Sequence, residues 1–181
     1  MADRRVISVF GSSAPQPGSA VYELARDTGR LLAGAGYAVA TGGYGGVMAG
    51  VSQGAAEAGG HVIGVTAAPI DAIRPAGPNP WVGERIHYET LRARLLHLVA
   101  ENDGMIALPG GIGTISEMTL AWSFIQVGEV PVRPLVLVGD LWQRTVDAFV
   151  SQEFVRPEHH NLLYFAEGAP QAVAHIRETV P

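Results

Sequence analysis

The 181 residues contain no cysteine, no lysine and few charged groups of either sign. The lack of cysteine excludes disulfides, thiolate nucleophiles and cysteine-ligated metals, and makes an intracellular, cytoplasmic setting the expectation. With all twelve basic residues arginine, there is neither a Schiff-base lysine for pyridoxal phosphate nor the lysine of a P-loop. An excess of positive charge is also missing: the formal net charge is −5. A general nucleic-acid binder needs that excess, so no nucleic-acid partner is expected, although a small anion can be held locally. Long hydrophobic runs are lacking as well. The charge-free stretch between Arg30 and Glu57 is cut by "TGGYGG", and the apolar start "RRVISVF" breaks at Gly11. Neither a membrane span nor a signal peptide is expected.

About half of the residues are apolar (48%), enough for one core, and residues 1–181 are read as a single domain. Short β-rich runs alternate with helical patterns, which predicts an α/β fold with a mainly parallel sheet. The strands are expected at "RRVISVF", "YAVAT", "HVIGVT", Ile86 to Tyr88, "GMIALP", "RPLVLVG" and "NLLYFA". Helices are expected over Ala20 to Ala35, Val47 to Ala58, Thr90 to Ala100, from the glycines after Pro109 to Val127, and at "LWQRTVDAFVSQ" and "PQAVAHIRETV". Ala67 to Glu84 carries four prolines and is read as irregular. So long a loop in a compact domain is more often functional than not.

Two glycine-rich turns, "TGGYGGVMAG" and "PGGIGT", each follow a strand and open a helix. Glycine lets backbone approach a ligand closely, and the free N–H groups and dipole of a helix start favour an anion. Neither turn fits the dinucleotide fingerprint or the Walker loop. Both fall at carboxyl ends of parallel strands, where open sheets bind ligands. Thr114 and Glu117 fit a capping box; Glu117 equally suits contact with a ribose or a developing cation, and the two roles are compatible. Arg92 and Arg94 do not share a helix face, so at most one points at the ligand end. The six histidines show no ligand spacing, and neither a metal nor a cofactor is expected. Ser12 and Ser13, after the first strand, lack a nucleophile elbow and suit phosphate or sugar contact. Trp122 and Phe124 are assigned to helix packing or a dimer face.

These residues resemble the LOG-like proteins, the cytokinin riboside 5′-monophosphate phosphoribohydrolases often labelled lysine decarboxylases. "PGGIGTISE" fits the family's PGGxGTxxE, and Arg94 stands fifteen residues before that proline. "TGGYGGVMAG" is a looser form of GGGxxGLMG, and "AWSFIQVGEVPVRPLVLV" is similar to the segment that follows. Two positions depart: Leu95 stands where the family usually has lysine, and Tyr44 alters the second loop. The resemblance implies a Rossmann-like doubly wound sheet with helices on both faces, usually dimeric. It also implies hydrolysis of the N-glycosidic bond of a nucleoside 5′-monophosphate such as AMP, giving free base and ribose 5-phosphate. Gly110, Gly111, Gly113 and Thr114 would hold the phosphate, with Gly42, Gly43 and Ser12 completing the nucleotide site. Glu117 and Arg94 would be catalytic, with Glu84 a second carboxylate candidate. Similar folds include sensors and molybdenum-cofactor carriers, so a non-catalytic nucleotide- or cofactor-binding protein is the alternative.

Overall fold

The computed structural model of the chain describes residues 4–150 and 154–181. Among the described residues, β-branched and apolar runs form β1 (Val6–Phe10), β2 (Ala38–Thr41), β3 (Val62–Ala67), β4 (Glu84–Tyr88), β5 (Gly104–Ala107), β6 (Leu135–Val138) and β7 (Leu163–Ala166). They make one parallel sheet in the order β4-β3-β2-β1-β5-β6-β7. The helices are α1 (Ala20–Gly34), α2 (Val47–Glu57), α3 (Ala68–Asp71), α4 (Leu91–Ala100), α5 (Ile112–Val127), α6 (Asp140–Phe149), α7 (Pro157–His160) and α8 (Ala169–Thr179).

Side chains alternate across each strand, and this sheet buries both faces. Ile7, Val9, Ile106 and Leu108 join one core with residues of α1, α2 and α8. Phe10, Met105 and Ala107 join the other, with residues of α4, α5 and α6. The inner strands are therefore mostly apolar rather than alternating in polarity, as parallel sheets require, whereas the edge strand β4 (ERIHY) is polar and partly exposed. The fold is a Rossmann-like α/β sheet with helices on both faces.

Two details position the site. β1 pairs with β2 on one side and β5 on the other, so the chain winds away from β1 in both directions. That leaves a crevice at the carboxyl ends of the two central strands. Helices α1 and α2 also meet at backbone distance: a Cβ on Gly29 would overlap the Val51 carbonyl oxygen, and one on Gly54 the Arg26 carbonyl oxygen. This contact fixes α2, whose first turn continues the loop after β2.

The expected elements are present, with shifted ends. The segment expected to be irregular contributes Ala67 to β3 and then the short helix α3, because Pro69 sits in its first turn, where a missing N–H costs no hydrogen bond. At its other end Glu84 already belongs to β4. Helix α7 has no counterpart in the sequence reading. The expected end of the α6 helix, Ser151 and Gln152, lies outside the described residues. Among the described residues no helix is long and apolar enough to cross a membrane.

Candidate functional site

Three loops meet where β1, β2 and β5 end. The Ser12 amide donates to the Pro109 carbonyl (3.1 Å), and the Ser12 carbonyl accepts from the Val47 amide (2.7 Å). Beside them opens a cavity of about 370 Å³, within the size range of small-molecule sites. Of the residues expected in the site, Ser12, Gly42, Arg94, Gly111, Gly113, Thr114 and Glu117 line it. Gly43 and Gly110 do not form its wall. The Gly43 carbonyl accepts from the Asn79 amide (2.8 Å), and a Cβ on Gly110 would overlap the Thr114 hydroxyl.

Arg94 and Glu117 are brought together from α4 and α5. Thr90 caps α4 by accepting from the Ala93 amide (3.2 Å), which starts the helix so that Arg94 turns inward and Arg92 stays exposed. Arg94 Nε donates to the Val65 carbonyl within β3 (2.8 Å), and its Nη1 lies 3.5 Å from Glu117 Oε1. Arg94 is 6% exposed and Glu117 8%. Close charge-assisted pairs lie near 2.7–2.9 Å, so this one is loose, and the carboxyl is only partly compensated for leaving water. Burial accordingly pushes the Glu117 carboxyl up to about 7 against the opposing pull of Arg94. Burial also pulls the Arg94 guanidinium down, against the opposing effect of Glu117.

The capping-box reading of Thr114 and Glu117 does not hold. Helix α5 begins earlier, with Gly111 as its N-cap and no side-chain cap, which puts Thr114 inside the first turn and frees Glu117 to face Arg94. The first N–H groups of α5 thus lie at the cavity without a capping side chain, and Gly111 and Gly113 have open space where a Cβ would stand. Glu84 is elsewhere. It pairs with His61 (2.7 Å) at the amino-terminal end of the sheet edge, because the strand it opens runs parallel to β3.

Sequence reasoning missed the far wall, which comes from the proline-rich segment. The Tyr44 hydroxyl donates to Asp71 Oδ1 (2.8 Å) and accepts from the Ala67 amide (3.2 Å), while Asp71 Oδ2 pairs with Arg85 (2.6 Å). These contacts hold the segment over the cavity and bring Arg74 into its lining. The length of the loop was the one signal pointing there. A second cavity of about 450 Å³ opens at the opposite, amino-terminal end of the strands, where Arg5 is paired with Asp103 (2.9 Å) and Arg133 with backbone carbonyls.

The raised Glu117 pKa has a stability consequence with a definite sign. A carboxyl that binds its proton more tightly folded than unfolded stabilises the fold fully below pH 4.5. That contribution is lost as the pH rises to and through 7, on the order of 3 kcal/mol in all. Thermal unfolding from pH 4 to 8 should therefore show the wild type losing stability relative to Glu117→Gln across that window. Parallel curves for the two proteins would contradict this.

Fold and site together define a Rossmann-like α/β protein with a cavity at its topological switch point. The chain belongs to the family described as "Possible lysine decarboxylase", whose profile matches residues 48–176, and its curated relatives are LOG-family proteins. A probable cytokinin riboside 5′-monophosphate phosphoribohydrolase of Oryza sativa subsp. japonica is 32% identical over 98% of this chain and 79% of its own length. A cytokinin riboside 5′-monophosphate phosphoribohydrolase of Arabidopsis thaliana is 31% identical over 77% of this chain and 67% of its own. Among solved structures, a molybdenum cofactor binding protein from Rippkaea orientalis superposes with a TM-score of 0.77 at 25% identity, covering 98% of both chains. Decarboxylation through an internal aldimine has no nucleophile here, since these residues include no lysine.

Proposed function

We propose that the chain is a nucleoside 5′-monophosphate phosphoribohydrolase, releasing free base and ribose 5-phosphate from a substrate such as AMP. The observation that carries this reading is the buried, loosely paired Arg94 and Glu117 opening onto a cavity at the uncapped start of α5. The N–H groups of that first turn, with Gly111, Gly113 and Thr114, bind the 5′-phosphate. Binding energy remote from the reacting carbon then holds C1′ beside Glu117. As the bond from C1′ to the base nitrogen breaks, the ribose gains oxocarbenium character. The Glu117 carboxylate stabilises that charge and takes a proton from the water whose oxygen bonds to C1′. Arg94 hydrogen-bonds the departing base or orients the ribose oxygens; the base takes its ring proton from solvent as it leaves, and Glu117 returns the proton it took from water to solvent, restoring the carboxylate. A group poised near pH 7 suits such a transfer. From the family resemblance the same reading takes a homodimeric assembly and a cytoplasmic location.

A second reading, a non-catalytic nucleotide or cofactor carrier, is favoured by the likeness to the molybdenum cofactor binding protein and by Leu95 in place of the family's lysine. Incubating the pure protein with a panel of nucleoside monophosphates and following free base by chromatography separates the two. Base release that tracks enzyme concentration supports the hydrolase. Tight binding without release supports the carrier and overturns the hydrolase.

A further inference from the structure

The ionisable groups lining the cavity are Tyr44, Arg74, Arg94 and Glu117. Arg94 faces Glu117, whereas Arg74 has no carboxylate within 4 Å among the described residues. Neutral groups hold it instead. Its Nη2 donates to the Ser13 hydroxyl (2.7 Å), and its guanidinium lies over the Tyr44 ring, 5.6 Å from the centroid. The carboxylate nearest in the chain, Asp71, is taken by Tyr44 and Arg85. Arg74 and Arg94 line the same cavity, so two like charges face one space.

A phosphate monoester dianion would otherwise meet little net charge here. Arg94 and an ionised Glu117 roughly cancel, and a helix start supplies only about half an elementary charge. Arg74 supplies the missing cation on the wall formed by the proline-rich segment, and a guanidinium fork matches a phosphate's oxygens two at a time. Building on the phosphoribohydrolase reading, we propose that Arg74 is the specificity residue for the 5′-phosphate, gripping it against the start of α5 and separating nucleotides from nucleosides.

The test is calorimetric binding of AMP, ribose 5-phosphate and adenosine to the wild type, Arg74→Gln and Arg74→Lys, with base release from AMP followed in parallel. Arg74→Gln should weaken AMP and ribose 5-phosphate about 10- to 100-fold and leave adenosine unchanged. Arg74→Lys, which keeps the charge but loses the fork, should fall between. A purely structural bridge between Ser13 and Tyr44 predicts instead that all three ligands weaken together, and that result overturns the proposal. Base release with an AMP-to-adenosine preference unaltered in Arg74→Gln overturns the role of Arg74 and leaves the hydrolase standing. Arg74-dependent binding of ribose 5-phosphate without base release does the reverse. A wild type that binds neither phosphate ester overturns both.

Discussion

Replacing Glu117 with glutamine is expected to lower kcat for base release from AMP by about 10³-fold or more while AMP still binds, in keeping with general acid–base and electrostatic contributions of that size. Glutamine keeps the shape and leaves an amide oxygen facing Arg94 Nη1, so the buried guanidinium keeps a polar neighbour. Lost are the charge facing C1′ and the proton acceptor. The pH dependence adds a second, independent reading. Because Glu117 acts ionised and its carboxyl is pushed up to about 7 by burial, kcat/KM of the wild type should rise with pH through 7 and level off above. A bound phosphate dianion disfavours a further negative charge, so the corresponding limb of kcat should lie at higher pH than that of kcat/KM. Any residual activity of Glu117→Gln should lack both limbs. Undiminished turnover in the variant would remove Glu117 from the chemistry, and a wild-type profile flat between pH 5 and 9 would remove its titration from the mechanism.

What the sequence disclosed about this site depended on how local each feature is. Apolar runs separated by glycine and proline are local, and they located every strand of the sheet to within a few residues. The two arginines of α4 could be sorted in principle, since helical spacing allows only one to face inward, and that one is Arg94. The capping box misled because it is a four-residue pattern that takes the helix start for granted. Gly111 starts α5 earlier, and once Thr114 lies inside the helix the same glutamate belongs to a contact with α4. Arg74 was legible only as part of a conspicuous loop. Which of its side chains turns inward is decided by Asp71 reaching Tyr44 and Arg85, contacts between segments far apart in the chain. The glycines of the second loop looked like a phosphate cradle, yet only the packed structure shows what Gly42 makes room for.

A Cβ at Gly42 would overlap Arg94 Nη2 and lie 2.6 Å from Met48 Sδ. Gly42 is not among the glycines with positive φ, so alanine there brings no backbone strain and acts through this overlap alone. The methionine thioether can yield at small cost. Arg94 cannot, because its Nε is held by the Val65 carbonyl (2.8 Å) and its Nη1 stands against Glu117. The guanidinium must therefore shift, and a displacement of about 1 Å at a reacting group costs on the order of 10²-fold in rate. Gly42→Ala is accordingly expected to lower kcat/KM for AMP by about 10²-fold, and Arg94→Ala by about 10²- to 10³-fold. If Gly42 acts only by leaving space for Arg94, the double variant should be no slower than Arg94→Ala alone, an interaction energy of roughly 3 kcal/mol in a double-mutant cycle. Multiplying losses, about 10⁴-fold or more in the double variant, would mean that Gly42 serves the ligand by a route independent of the arginine, and the second glycine loop would then be a cradle in its own right.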